Sequence, residues 1–289
     1  RGPLRAPPPP PEQPSGYSRV RPALMIIGLL IAASGIMMWS AVLHAAIGIR
    51  REGDPVNLTY GFTTLAFAGF TLSGVAIAQV QTLEQAGPWI FAKVTFALLA
   101  WLGVIAFSWA FLRRGRAWPW LMGLVAVALL LHFAIPGGIY IEELLAIHTG
   151  VMPWGEEIQR VEFQTRPFAL PILLAIVGSL GYAIKRAAIT YRLELGHRPI
   201  VFLVGLSLLA LALVDDLLQI TALTYAVDES AMLLFTLLMG SYLVEDAADT
   251  VEARSSARMS MKRMQALIDT APEAILIYDP SGEAFVNTN

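Results

Sequence analysis

Cysteine is absent from this chain of 289 residues, and charged residues make up only 15% of it. Without cysteine the protein can form no disulfide, no thiolate nucleophile and no thiolate metal ligand. The formal net charge is -2, and the basic residues are scattered between apolar runs rather than gathered into a stripe. The chain therefore lacks the electrostatic pattern of a nucleic-acid-binding protein, and we expect no nucleic-acid partner.

Hydrophobic residues, in contrast, make up 56% of the chain, and the mean hydropathy is +0.61. Apolar runs of about 20 residues are typical of membrane-spanning helices. The sequence predicts an all-α membrane protein with a bundle of seven transmembrane helices, at residues 23–49, 56–80, 88–112, 118–135, 168–189, 199–223 and 230–244. Residues 1–22, with a run of proline from Pro7 to Pro11, are predicted to be a disordered tail.

The last apolar run turns polar without a break. From Glu245 to Arg263 acids and bases alternate with small residues, and neither Gly nor Pro interrupts them. The pattern predicts one helix of about 40 residues, roughly 60 Å long. A weak heptad-like seam along it favours a parallel homodimer. We therefore divide the rest of the chain into a sensor module at 23–247, a helical linker at 248–268 and the start of an α+β domain at 269–289.

Lysine and arginine in the connections predict the orientation. Three connections hold nine of them and the other three hold two, which places the N terminus outside and the C terminus in the cytoplasm. The arginines of the N-terminal tail favour the opposite orientation, but a tail this short can be translocated. We expect a protein of a prokaryotic cell membrane, with the lipid bilayer as its first partner.

One long connection, residues 136–167, lies outside in this arrangement. Within it residues 139–147 could form an amphipathic helix at the membrane interface, serving either as a structural cap or as part of a ligand lid. His148 and the neighbouring acids could in principle bind a divalent metal, but side chains of this kind on a loop are usually only solvated. We predict no metal site.

Ionisable residues inside a membrane are costly and point to function. By helix arithmetic Lys93, His132, Asp215 and Asp216 share the outer leaflet. We predict that Lys93 pairs with Asp215 or Asp216, either as a structural ion pair or in a ligand pocket. His44 falls near the inner interface, where we expect it to be hydrated. Residues 230–244 contain no lysine for a retinal Schiff base, so no retinal is expected, and no other cofactor is required by these residues.

The C-terminal segment MQALIDTAPEAILIYDPSGEAFVNTN resembles the start of a PAS sensor domain. The resemblance rests on a first helix, Pro272 before the first strand, the turn from Asp279 to Gly282, and Asn287 at the end of the second strand. It covers about 25 residues, which is only the beginning of such a domain. Independently of the resemblance, the pattern predicts a helix followed by a β-hairpin.

The longer region also resembles the seven-helix membrane module that precedes PAS domains in prokaryotic sensor histidine kinases and diguanylate cyclases. The matching stretches are HAAIGIRREGDPVNLTYGFTTLAFAGF, FAKVTFA, MPWGEE and VDDLLQITALTYAVDESAMLLFTLLMGSYLVEDAADTVEAR. The resemblance implies sensing roles for Lys93, Trp154, Gly155, Glu156 and Asp216, and a downstream kinase domain or response regulator as partner. His148 is a further candidate in the outer loop. No catalytic residue is recognisable, and a transporter or channel is the alternative of another class.

Overall fold

The computed structural model describes residues 21–22, 24–112, 117–151, 156–194, 197–218, 224–270, 276–278 and 284–286. This part of the chain is largely helical, as the sequence predicts. Its helices are α1 (Leu24–Arg50), α2 (Pro55–Ile77), α3 (Leu83–Leu112), α4 (Trp118–Ala134), α5 (Ala169–Glu194), α6 (His197–Leu218) and α7 (Thr224–Thr270).

Five of these helices, α1, α2, α3, α5 and α7, are long and apolar enough to cross a membrane. They indicate an integral membrane protein. The apolar segments in α4 and α6, residues 118–134 and 200–214, are shorter. Membrane crossing by these two helices, and with it the count of seven, stays a prediction.

The second helix is the most buried of the five. Small and polar side chains let its neighbours approach closely. A Cβ added at Gly61 would lie 3.0 Å from the carbonyl oxygen of Ala41 on α1. On α3, a Cβ added at Gly103 would lie 2.9 Å from the Cα of Thr63 on α2. Close backbone approach of this kind is the usual packing of membrane helices, and it places α2 between α1 and α3.

The predicted amphipathic helix at residues 139–147 is wrong, because this connection forms a β-hairpin. Strands β2 (Ile141–Val151) and β3 (Glu156–Thr165) pair antiparallel, and a two-residue strand β1 (Arg21–Pro22) pairs parallel with β3. The last two residues of the predicted tail therefore form β1, while residues 1–20 lie outside the described part. The physical reason is that strand pairing satisfies the backbone polar groups of both strands while Ile141 of β2 and Ile158 and Val161 of β3 become buried.

The hairpin packs on the ends of two helices. Ile141 and Val161 form one apolar cluster with Ile77 at the end of α2, with Val80 just after it, and with Ala86 and Ile90 of α3. A backbone hydrogen bond from the Gln159 N–H to the Ala78 carbonyl adds to this contact. We refer to this side of the helices, where α2 ends and α3 begins, as the sheet end.

Two units divide the chain, Arg1–Leu238 and Met239–Asn289. The second contains the later part of α7 and a small hairpin, in which β4 (Leu276–Tyr278) pairs antiparallel with β5 (Ala284–Val286). The predicted unbroken helix and the two predicted strands are thus present. The turn at 279–283 lies outside the described residues, and the PAS fold stays a prediction.

Candidate functional site

A buried ion pair joins α3 to the start of α7. The ammonium nitrogen of Lys93 lies 3.5 Å from Oε1 of Glu229. The Glu229 side chain is only 2% exposed, while that of Lys93 is 19% exposed. The partner that the structure describes for Lys93 is therefore Glu229, which is not among the residues predicted to pair with it.

The second helix completes this site from a third side. The Lys93 ammonium lies 4.4 Å from the centre of the Phe70 ring, within the range of a cation–π interaction. One turn further along α2, a Cβ added at Gly74 would lie 3.2 Å from Glu229 Oε1 and 3.4 Å from Lys93 Nζ. Glycine at this position gives both charged atoms room beside the α2 backbone. We call Phe70, Gly74, Lys93 and Glu229 the α7 anchor site.

The remaining candidates for pairing with Lys93 are Asp215 and Asp216. Both lie in α6 near its C-terminal end, but their side chains are outside the described part of the structure. Their predicted pairing with Lys93 therefore stays a prediction. Trp154 and Gly155 also lie outside the described residues.

A second polar contact holds α7 two turns after Glu229. The Tyr60 hydroxyl on α2 donates to the main-chain carbonyl of Thr236, and it lies 3.3 Å from the Ser40 hydroxyl on α1. Glu229 and Thr236 are seven residues apart and so share one face of the helix. Between them Phe235 is fully buried, with its ring centre 5.9 Å from that of Phe67. Helix α7 thus meets α3 through a charged contact, and it meets α2 through an aromatic and a hydrogen-bonded contact.

A polar network secures the opposite end of α1 and α2. His44 Nδ1 lies 2.7 Å from the side-chain oxygen of Asn57, and Asn57 donates to Asp54. Asp54 also caps α2 by accepting from the Val56 N–H at 3.0 Å. His44 is only 1% exposed, so the expectation that it is hydrated is wrong. Its ring also meets Tyr60 edge-on, with 4.6 Å between ring centres.

His132 lies away from the α7 anchor site. Its ring stacks on Phe91 at 4.2 Å, its Nε2 lies 3.0 Å from the Thr95 hydroxyl, and its Nδ1 accepts from the Ile139 N–H at 3.2 Å. Phe91 and Thr95 each lie two residues from Lys93, which places them about 200° around α3 from it. His132 therefore joins α3, α4 and the chain leading to β2, and it does not contribute to the same site as Lys93.

Glu156, which the sequence places among the outer-loop candidates, caps a helix. Its carboxylate accepts hydrogen bonds from the main-chain N–H groups of Met25 at 2.7 Å and Ile26 at 3.3 Å. The first N–H groups of a helix have no partner within the helix, and a negative charge there also interacts favourably with the helix dipole. The side chain is 6% exposed. Strand β3 thereby holds the first turn of α1.

Replacing Glu156 with alanine is expected to lower the free energy of unfolding by about 1–2 kcal/mol, because two N–H donors of α1 lose their acceptor. Thermal unfolding in lipid nanodiscs would measure the change. The neighbouring Glu157, which is partly exposed on the same strand, provides the control Glu157→Ala. Equal shifts in the two variants would show that the cap contributes nothing.

The remaining outer-loop candidate, His148, is exposed on the hairpin. Its Nε2 lies 2.7 Å from a carboxylate oxygen of Glu162 on the paired strand. Exposed pairs of this type contribute little to stability. Among the described residues no group of three or more potential ligands is arranged to hold a metal ion.

No protein-family model matches this chain, and no curated protein is similar to it in sequence. The class of protein is nevertheless clear from the five long apolar helices, which indicate an integral membrane protein. Any function beyond that class has to be inferred from the residues of the chain.

Proposed function

We propose that this chain is the input part of a membrane-bound signal-transduction receptor. In this proposal seven helices cross the membrane, with the sheet end outside and the C-terminal end in the cytoplasm. A stimulus at the sheet end changes the position of α7, and α7 transmits the change to a PAS domain and a downstream histidine kinase. The chain acts as a parallel homodimer through the later part of α7.

The observation that carries the proposal is the combination of contacts on α7. The helix begins at Thr224, meets the bundle through Glu229, Phe235 and Thr236, and continues without a break to Thr270. Its later residues are rich in charge and end just before the short hairpin of β4 and β5. A helix held by a few specific polar contacts can be shifted by a stimulus that alters those contacts.

The hairpin at the sheet end is linked to α7 through α1 and α2. Strand β3 contacts the first turn of α1 through Glu156 and the end of α2 through Gln159. Tyr60 belongs to α2, and its hydroxyl lies beside the hydroxyl of Ser40 on α1. Both helices therefore help to position the side chain that bonds to Thr236. A displacement of the hairpin would therefore act on the helices that hold α7 at Thr236.

The proposal is tested in phospholipid vesicles with the complete receptor, in which the chain is joined to the downstream kinase that the proposal assigns to it. Incubation with labelled ATP and Mg²⁺ is expected to yield an acid-labile phosphohistidine on the protein. Conversion of GTP to cyclic diguanylate would instead support a receptor of the cyclase type. Solute flux across the vesicle membrane with neither activity would overturn the receptor proposal in favour of a transporter or channel.

In the same assay Tyr60→Phe is expected to change the output rate by about fivefold or more, a coupling typical of allosteric proteins. The substitution removes only the hydroxyl that donates to Thr236. Tyr182→Phe is the matched control, since the Tyr182 ring packs against Trp118 on the side of the bundle formed by α4 and α5. An unchanged rate in Tyr60→Phe would contradict transmission through this contact.

A further inference from the structure

Thr71 lies on α2 three residues before Gly74 and one residue after Phe70, at the α7 anchor site. Its side chain is fully buried, and its hydroxyl oxygen has no hydrogen-bond partner among the residues that the structure describes. Residues three apart lie on the same side of a helix. The Thr71 hydroxyl is therefore on the side of α2 that meets Lys93 and Glu229.

Other helical threonines in this chain behave differently. Their hydroxyls donate to a carbonyl three or four residues earlier in the same helix, the usual arrangement for threonine inside a helix. This is the arrangement of Thr59, Thr63, Thr64, Thr95, Thr236 and Thr250. A buried hydroxyl without a partner costs free energy, and such groups in native proteins are commonly satisfied by an ordered water molecule.

The ion pair beside Thr71 fits the same explanation. A charge-assisted N–H···O bond normally measures about 2.7–2.9 Å, whereas Lys93 Nζ lies 3.5 Å from Glu229 Oε1. This contact is therefore longer than a direct charge-assisted hydrogen bond. A water molecule can accept from an ammonium and from a hydroxyl and can donate to a carboxylate, so one molecule can link the Thr71 hydroxyl to both members of the pair.

We infer that the α7 anchor site binds an internal water molecule that links the Thr71 hydroxyl to the Lys93–Glu229 pair. The ligand is neutral, because Glu229 repels an anion and Lys93 repels a cation. The ligand is also small, because the position of a Cβ on Gly74 is already within 3.4 Å of both charged atoms. The inference concerns the hydration of the pair and holds whether or not the chain is a receptor.

The test compares two threonine-to-valine substitutions on α2 of the intact protein in nanodiscs. Thr71→Val is expected to lower Tm by about 3–6 °C, because the bound water loses one of its partners. Thr64→Val is the control, since Thr64 is equally buried but its hydroxyl bonds to carbonyls of its own helix. Thr71→Ser, which keeps the hydroxyl, is expected to have a smaller effect than Thr71→Val.

A Tm for Thr71→Val that equals or exceeds that of the unsubstituted protein would overturn the inference, since removing an unbonded buried hydroxyl relieves its cost. A direct measurement supports the thermal one. The chain has three lysines, Lys93, Lys185 and Lys262. In water-edited solid-state NMR the Lys93 ammonium signal is expected to receive magnetisation from water, and to lose at least half of it in Thr71→Val. No loss would also overturn the inference.

Discussion

Replacing Lys93 with methionine is expected to destabilise the folded protein by about 3–5 kcal/mol, the cost of removing one partner of a buried ion pair. Glu229 would remain 2% exposed without its ammonium partner. Methionine keeps the length and most of the volume of the lysine stem, so the loss reports on charge rather than on packing. Thermal or denaturant unfolding in nanodiscs would measure it.

Two further variants make this prediction specific. Lys185→Met changes the same residue type at an exposed position on α5, and we expect little change in stability. The double variant Lys93→Met with Glu229→Leu removes both charges, and it is expected to recover most of the stability, because an apolar pair can replace a buried ion pair. If Lys93→Met and Lys185→Met had equal effects, Glu229 would not depend on Lys93.

The apolar runs predict the helices well because lipid imposes a simple requirement. Every backbone polar group in the hydrocarbon region must be satisfied within the segment, so a long apolar run is a helix. The run predicted at residues 118–135, for example, corresponds to Trp118–Ala134. The fold class was therefore readable from composition and segment length, whereas contacts between the segments were not.

Glu229 is not among the residues predicted for the site, because the predicted seventh run begins at Ser230. The helix in fact begins at Thr224, and six polar and apolar residues in mixed order precede Ser230. Boundaries of this kind are the least certain part of any sequence interpretation. An acid directly before an apolar run that starts at the outer surface, in a chain with a lysine in the outer leaflet, is the signal that points to this residue.

The hairpin of β2 and β3 and the cap that Glu156 forms on α1 could not be predicted from the sequence for other reasons. The segment from Ile139 to Ile147 contains apolar residues at spacings that fit a helix as well as a strand, and a run this short cannot distinguish them. The contact between Glu156 and the start of α1 joins residues 131 positions apart. A cap of this type arises only when the sheet packs over the helix end, so local sequence carries no trace of it.

Replacing Gly103 with alanine is expected to lower stability by about 1–3 kcal/mol, because α3 and α2 pack too closely for a side chain. The added Cβ would lie 2.6 Å from the Thr63 hydroxyl oxygen and 2.9 Å from the Thr63 Cα. A hydroxyl can rotate away, but the backbone atom cannot, so the two helices must separate. This cost opposes the gain of about 1 kcal/mol that alanine has over glycine in a helix.

Gly28 on α1 provides the matched control for this prediction. It is also a helical glycine in an apolar segment, but an added Cβ there meets nothing within 4 Å. Gly28→Ala is therefore expected to leave stability unchanged or to raise it slightly, by up to about 1 kcal/mol. Separation of α2 from α3 would also move Phe70 and Gly74 away from Lys93, so Gly103→Ala should weaken the α7 anchor site as well. Equal stabilities of the two glycine variants would show that α2 and α3 are not in backbone contact at Thr63.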